Sequence, residues 1–174
     1  MNHLPIPIAS SRLNILPFEL KDCPDIYPYI TLSLTQFMSW EPSQTFEEFE
    51  NIGKKWLRAQ ASATDRHFVL RDKTTHQFIG LIGIHRIHTQ TPEFGLWICE
   101  DKHGNGFAKE ALKSIYDWAV LNVEADYFVY PVAEQNFASR KLAEGLGGSI
   151  SHVKQQPKYI QITYHIPVHA EHLN

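Results

Sequence analysis

Residues 103–108 read HGNGFA, with Gly104 and Gly106 standing directly before an amphipathic stretch. Glycine lets a backbone approach a ligand closely, and the first N–H groups of a helix lack intrahelical acceptors, so a glycine turn opening a helix suits a phosphate. Three phosphate sites compete with a plain turn between a strand and a helix. A P-loop needs GxxxxGK followed by Ser or Thr, but Lys109 follows Gly106 by three residues and no Ser or Thr comes next. A dinucleotide fingerprint needs a third glycine where Lys109 stands. Glu124 mimics the ribose-binding acid of that fingerprint, but it falls at the end of a helix rather than of a second strand. The third reading is a diphosphate held by backbone amides alone.

Other chemistry is less well supported. Of the ten histidines, His85/His88 and His165/His169 are spaced suggestively. In a strand the first pair would point to opposite faces, and Pro167 keeps the second pair off one helix face, so no metal site is expected. Cys23 and Cys99 form no CxxC pair, which suits a reducing compartment. A net charge of −3 without a basic stripe argues against direct nucleic-acid binding. The start, MNHLPIPIASSRL, lacks a basic segment followed by an apolar one, and no apolar run approaches the ~18 residues of a membrane span. The expectation is a cytoplasmic protein without membrane contact, monomer or homodimer.

The elements that must position the glycine turn follow from periodicity. With 174 residues, 43% apolar and 20% charged, the chain is expected to form a single domain over 1–174 with a sizeable core. RLNILPF (12–18) reads as a first strand. Residues 22–37 read as a helix opened by Asp22 and weakened at Pro28, and 38–44 as a loop. Thr45 and Glu48 form a capping box for a helix with Phe46, Phe49, Ile52, Trp56 and Leu57 on one face. Three β-rich runs (67–72, 78–88 and 93–100) with short connections predict antiparallel neighbours. After the glycine turn come a helix through Ala119, a strand (125–132), a helix from Asn136 to Leu146 stopped by Gly147-Gly148, and two last strands. The order β α α β β β α β α β β predicts an α+β fold: a mixed, mostly antiparallel sheet of about seven strands with about four helices on its faces.

The stretch GLWICEDKHGNGFAKEALKSIYDWA resembles the GNAT acetyltransferases, and within them the RimJ/RimL-type branch that modifies protein N-termini. Those enzymes show a G-[YF]-W-[LI] strand, a spacer, then [RQ]-x-x-G-x-[GA] opening a long helix. EQNFASRKLAEGLGG resembles the family's N-x-x-S segment, with Asn136, Ser139 and Leu146-Gly147 at the matching positions, and SRLNILPF resembles its first strand. The similarity spans about residues 10–167. His103 replaces the usual Arg or Gln, and Leu16 stands where the branch often has Arg.

The resemblance implies acetyl-coenzyme A as acetyl donor, with no metal. The backbone of Leu96, Trp97 and Ile98 would pair with pantetheine as an added strand. The amides of His103, Gly104, Asn105, Gly106, Phe107 and Ala108 would hold the pyrophosphate, and Asn136 would hydrogen-bond the coenzyme arm. An amine acceptor is implied, a ribosomal or other protein N-terminus first, with a small amine (polyamine, amino acid or antibiotic) or a non-catalytic acyl-CoA sensor as alternatives. An α-amine, with pKa near ~7.7–8.0, needs less base help than lysine near ~10.4. Glu93 is the expected base and Ser139 the acid for the leaving thiolate, with Tyr130 and Tyr164 as weaker acid candidates. A backbone N–H near Ile98 would stabilise the oxyanion. Trp40 is expected at the rim of the acceptor site and Trp56 in the core. Direct transfer in a ternary complex is favoured over an acetyl-Cys99 intermediate.

Overall fold

Alternating burial along Leu13–Pro17, with Leu13 and Ile15 fully buried, makes a strand whose inner face meets the core. The computed structural model describes residues 7–169, so the expected domain 1–174 and the start of the N-terminal stretch extend beyond the described residues. The strands are β1 (Ile8–Ala9), β2 (Leu13–Pro17), β3 (Arg66–Asp72), β4 (Phe78–His85), β5 (Glu93–Ile98), β6 (Tyr127–Ala133), β7 (Ser149–Gln155) and β8 (Ile160–Pro167). They form one sheet in the order β1-β2-β3-β4-β5-β6-β8-β7, antiparallel throughout except for β5 beside β6. The expected α+β architecture is present, with the two-residue β1 as an additional strand.

The predicted helix over 22–37 is broken. It divides into a 3-10 turn (Leu20–Asp22), α1 (Cys23–Ile26), a second 3-10 turn (Tyr27–Tyr29) and α2 (Leu32–Thr35). Pro28 has no N–H to donate, and the chain restarts only where the Thr31 hydroxyl accepts the Leu34 N–H at 3.1 Å. Asp22 does not cap α1. It accepts the Glu19 N–H at 2.9 Å and pairs with Arg71 at 2.8 Å. The next helix, α3 (Phe46–Ala61), starts as predicted: the Thr45 hydroxyl accepts the Glu48 N–H at 3.1 Å, while the Glu48 carboxylate reaches one residue further back, to the Gln44 N–H.

Helices cover both faces of the sheet. On one side α4 (Phe107–Asn122) and α5 (Phe137–Gly145) join a core that includes Ile82, Ile84, Phe94, Ile98, Phe128 and Tyr164. On the other side α1 and α3 pack Cys23, Ile26 and Phe49 against Val69, Phe78 and Leu81, with Trp56 and Trp97 alongside. Side chains alternate between faces, so Glu93, Gly95 and Trp97 point to the α1–α3 side and Phe94, Leu96 and Ile98 to the α4 side. The predicted strand over 78–88 ends at His85, because Arg86 takes φ +55° and turns the chain. The predicted 93–100 strand ends at Ile98, before a 3-10 turn at Glu100–Lys102.

Close approach of β4 and β5 fixes where β5 lies. A Cβ at Gly80 would collide with the Trp97 carbonyl oxygen and stand 2.9 Å from the Ile98 Cα. Gly80→Ala is therefore expected to destabilise the fold by about 1–3 kcal/mol in urea unfolding; a change within experimental error would show that β5 can shift freely.

Candidate active site

Strands β5 and β6 pair at one position, Glu93 opposite Val129, where the Val129 N–H donates to the Pro92 carbonyl at 2.8 Å. Beyond it they separate. The Cys99 N–H donates to the Ile79 carbonyl at 2.8 Å, and backbone direction alternates along a strand. The N–H and C=O groups of Leu96 and the N–H of Ile98 therefore face the opening rather than β4. The Ile98 carbonyl, which also points there, is met by Nε2 of His103 at 2.8 Å. An unpaired inner strand edge accepts an extended amide-bearing chain as it would another strand.

The glycine turn closes one end of this opening. Gly104 and Gly106 both take left-handed φ values, +77° and +78°. A Cβ at Gly104 would meet nothing within 4 Å, so space lies over the turn. Gly106 precedes α4, leaving the N–H groups of Phe107, Ala108 and Lys109 without intrahelical acceptors. Among the expected coenzyme-contact residues, Leu96, Trp97, Ile98, His103, Gly104, Gly106, Phe107, Ala108 and Asn136 line one continuous cavity of about 1360 Å³. Asn105 instead folds its side-chain amide onto the carbonyls of Lys102 and His103, at 3.0 and 3.1 Å. The Asn136 carbonyl oxygen caps α5 by accepting the Ser139 N–H at 3.1 Å, which leaves its NH₂ as the group available to a ligand. A slot edged by unpaired strand amides thus ends at the free N–H groups of a helix start.

Arg12 braces the turn, a role not legible in its motif. Its Nη1 donates to the Asn105 carbonyl at 2.9 Å, its Nε pairs with Glu110 at 2.8 Å, and its guanidinium lies 4.5 Å over the Phe107 ring. Burial pushes the Glu110 carboxyl up, but the Arg12 N–H, the Ser10 hydroxyl and the Arg12 side chain outweigh it and hold the group below the usual carboxylate range.

On the acid side, Ser139 and Tyr130 stand together, with their oxygens 2.8 Å apart. Burial pushes the Tyr130 phenol up to about 12 against the opposing Ser139 bond, so it keeps its proton. The Tyr164 hydroxyl is engaged elsewhere, donating to Glu144 at 2.8 Å and accepting from Arg140 at 3.1 Å. Burial also raises the Cys99 thiol to about 12, which disfavours a thiolate nucleophile.

The face of β5 that carries Glu93 lies under the α1–α3 layer. Glu93 sits there, with its carboxylate 3.0 Å from Arg86 Nη2. Trp40 lines the cavity at 40% exposure, and its carbonyl accepts from Lys158 at 3.0 Å. Lys158 also holds the Thr35 carbonyl and Glu41, tying the 35–41 loop to the β7–β8 turn. Trp56 packs against Phe18 and Phe49 as expected of a core residue, but it also reaches the cavity and stacks on His67, with centroids 4.8 Å apart. His67 in turn meets His85 edge-on at 5.1 Å. Sequence reasoning missed both histidines as site residues. His85 stands opposite Glu93 in the β4–β5 register, a relation that periodicity along a single strand does not reveal. His88 lies beyond the strand, so the His85/His88 spacing has no strand geometry behind it. Among the described residues no group of three or more His, Cys, Asp or Glu is placed to hold a metal ion, and no helix is long and apolar enough to cross a membrane.

Two outcomes follow from these contacts. Gly106→Val forces a β-branched residue into φ > 0 beside the cradle and should weaken coenzyme A binding at least about tenfold by calorimetry; Arg12→Ala, whose ion pair is half exposed, should cost about threefold. Unchanged affinity in Gly106→Val would remove the pyrophosphate reading. Burial, followed by the nearby His85, pushes the His67 imidazole down to about 3, against a smaller opposing effect of Asp65. The unfolded chain then binds the extra proton, so stability is present above about pH 6.5 and falls as pH drops towards 3, by at most about 1.4 kcal/mol per unit. His67→Phe, which keeps the stack on Trp56, should flatten that part of the stability–pH curve; an unchanged slope would show that His67 is not its source.

Residues 12–149 match the family described as acetyltransferase (GNAT) domain. No curated protein matches the sequence. Among solved structures, the fold is similar to a RimL ribosomal L7/L12 alpha-N-protein acetyltransferase in complex with coenzyme A, at TM-score 0.83 and 14% identity over 93% of this chain and 98% of that one. It is also similar to spermidine N-acetyltransferase from Vibrio cholerae in complex with CoA and spermine, at TM-score 0.79 and 19% identity over 94% and 99%. A third is the microcin C7 self-immunity acetyltransferase MccE with acetyl-CoA and AMP, at TM-score 0.78 and 16% identity over 91% and 93%. The splayed strands and the glycine-opened helix lie within the matched span, and the chain belongs to the GNAT acetyltransferase family: it is an N-acetyltransferase that draws its acetyl group from acetyl-coenzyme A.

Proposed function

We propose that the acceptor is the α-amine of a peptide or protein N-terminus, the kind of acceptor named for the RimL structure, and that transfer is direct within a ternary complex. The observation that carries this reading is the charge state of the cavity wall. Its lining carboxylates are Glu41, Glu93 and Glu100. Glu41 pairs with Lys158, Glu93 pairs with Arg86, and Glu100 accepts from the Thr31 and Ser33 hydroxyls at 2.9 and 2.6 Å. Arg86, Lys102 and Lys109 line the same cavity. A polyamine carries several positive charges that need unengaged carboxylates; an α-amine carries one at most and is partly neutral near pH 7–8. A cytoplasmic location goes with that acceptor.

In this reading the amine enters beneath Trp40 and approaches the thioester at the Glu93 end of β5. The amine lone pair attacks the carbonyl carbon, and the backbone N–H of Leu96, which faces the β5–β6 opening, stabilises the developing oxyanion. Glu93, directly or through water, is on the route by which the amine proton leaves. Ser139, backed by the protonated Tyr130 phenol, gives a proton to the departing thiolate. Nothing in this sequence of steps requires Cys99.

The test is acetyl-CoA turnover with three kinds of acceptor, read by mass: peptides with each residue type at a free N-terminus, the same peptides N-terminally blocked but carrying lysine, and spermidine. Acetylation of the free N-termini is expected. Faster reaction with spermidine or lysine would overturn the α-amine reading. Tight coenzyme binding without turnover on any amine would instead favour a sensor.

A further inference from the structure

We propose that His85 is a further catalytic residue, the group whose Nε2 receives the proton from the acceptor amine, with Asp65 holding its ring in place. The inference deepens the acceptor-side chemistry proposed above and takes only its choice of acceptor from that reading.

The geometry begins with two glycines. Gly83 and Gly95 face each other across β4 and β5. With no side chains there, the His85 ring lies down over both strands. Its Nε2 comes within 3.1 Å of where a Cβ would stand at Gly83 and within 3.2 Å of that point at Gly95. This places the imidazole over the part of β5 where the β6 side begins to open, on the cavity wall. Asp65, in the turn between α3 and β3, sets Oδ1 3.4 Å from His85 Nδ1. The same Oδ1 accepts the Arg86 N–H at 2.9 Å, so the carboxylate is fixed by the backbone as well. A carboxylate at Nδ1 favours the tautomer with its hydrogen there and a free lone pair at Nε2, the arrangement that makes a histidine a base.

The charged and titratable groups around His85 are Asp65 from the α3–β3 turn, His67 from β3, and Arg86 and Glu93 at the adjoining ends of β4 and β5. His67, neutral and stacked on Trp56, blocks the ring from swinging away without adding a competing charge. Glu93 is held by Arg86, which makes it a weaker partner for an incoming amine than the imidazole beside it. As the new C–N bond forms, the amine proton moves to His85 Nε2. The C–S bond then breaks and the sulfur leaves with a proton from Ser139; His85 returns the amine proton to solvent past Glu93, and Ser139 takes one back from solvent, so both groups end as they began. One N–H bond is exchanged for one S–H bond, and no redox partner is needed.

Two measurements test this. In protein labelled with ¹⁵N-histidine, long-range ¹H–¹⁵N spectra should show neutral His85 with its hydrogen on Nδ1, and Asp65→Ala should shift it towards Nε2. A native Nε2–H tautomer would overturn the proposal whatever the acceptor is. His85→Gln should lower kcat/KM for a reactive N-terminal peptide by about 100-fold or more and remove the acid limb of its pH profile, while coenzyme A affinity stays the same. Gly95→Ala, which crowds Nε2 without removing it, should reproduce part of the loss. Retention of rate and acid limb in folded His85→Gln would overturn the proposal. Failure of every peptide to react would reject the α-amine reading alone, and the tautomer would still decide the role of the dyad.

Discussion

Two parallel neighbours that meet at Glu93–Val129 and then part leave buried-edge amides that must find partners outside the sheet. That single constraint organises the molecule. Backbone polar groups facing a gap are tolerable when water or a substrate amide can satisfy them, so the gap is both a flaw in the sheet and the edge to which the proposed coenzyme arm would pair. The glycine turn lies at the wide end of the gap because β5 leads directly into it, through the 3-10 turn at Glu100–Lys102. In the proposed reaction the acceptor amine meets the thioester at the narrow end, where β5 and β6 are still joined. A coenzyme lying as proposed would present its reactive end where the sheet closes, and its charged end where free helix N–H groups gather.

The two ends use different physics. At the glycine turn no atom stands within 4 Å of where a Cβ would lie at Gly104; the proposed attraction there comes from oriented amides, and the charges of Arg12 and Glu110 act behind the turn to hold its shape. At the acceptor end, aromatic and imidazole rings are layered from Trp56 through His67 to His85, and the surrounding carboxylates have partners. This suits an amine that must lose its charge to react, because a wall of unpaired carboxylates would stabilise the ammonium form instead.

What was legible in the sequence was local. Gly104 and Gly106 mark a turn that opens a helix, Asn136 marks the start of a short helix stopped by Gly147-Gly148, and Thr45 with Glu48 announces a helix start; each signal is local. The broken segment over 20–35 was less legible, since Pro28 signals a weak point but not that Thr31 will restart the chain. The acceptor site was least legible. His85 becomes interesting only when it is laid beside Glu93 in register, over glycines from two strands, and next to an aspartate twenty residues earlier in the chain. Arg12 likewise acts on Asn105 across a separation that no motif spacing encodes.

The tie made by Lys158 has a consequence for how the loop bearing Trp40 is held. The Lys158 ammonium holds the Thr35 and Trp40 carbonyls across 123 and 118 residues of sequence, and pairs with Glu41. A shift of the turn between β7 and β8 is therefore felt at the loop that carries Trp40 to the cavity, whereas the glycine turn, braced separately by Arg12, does not share that link.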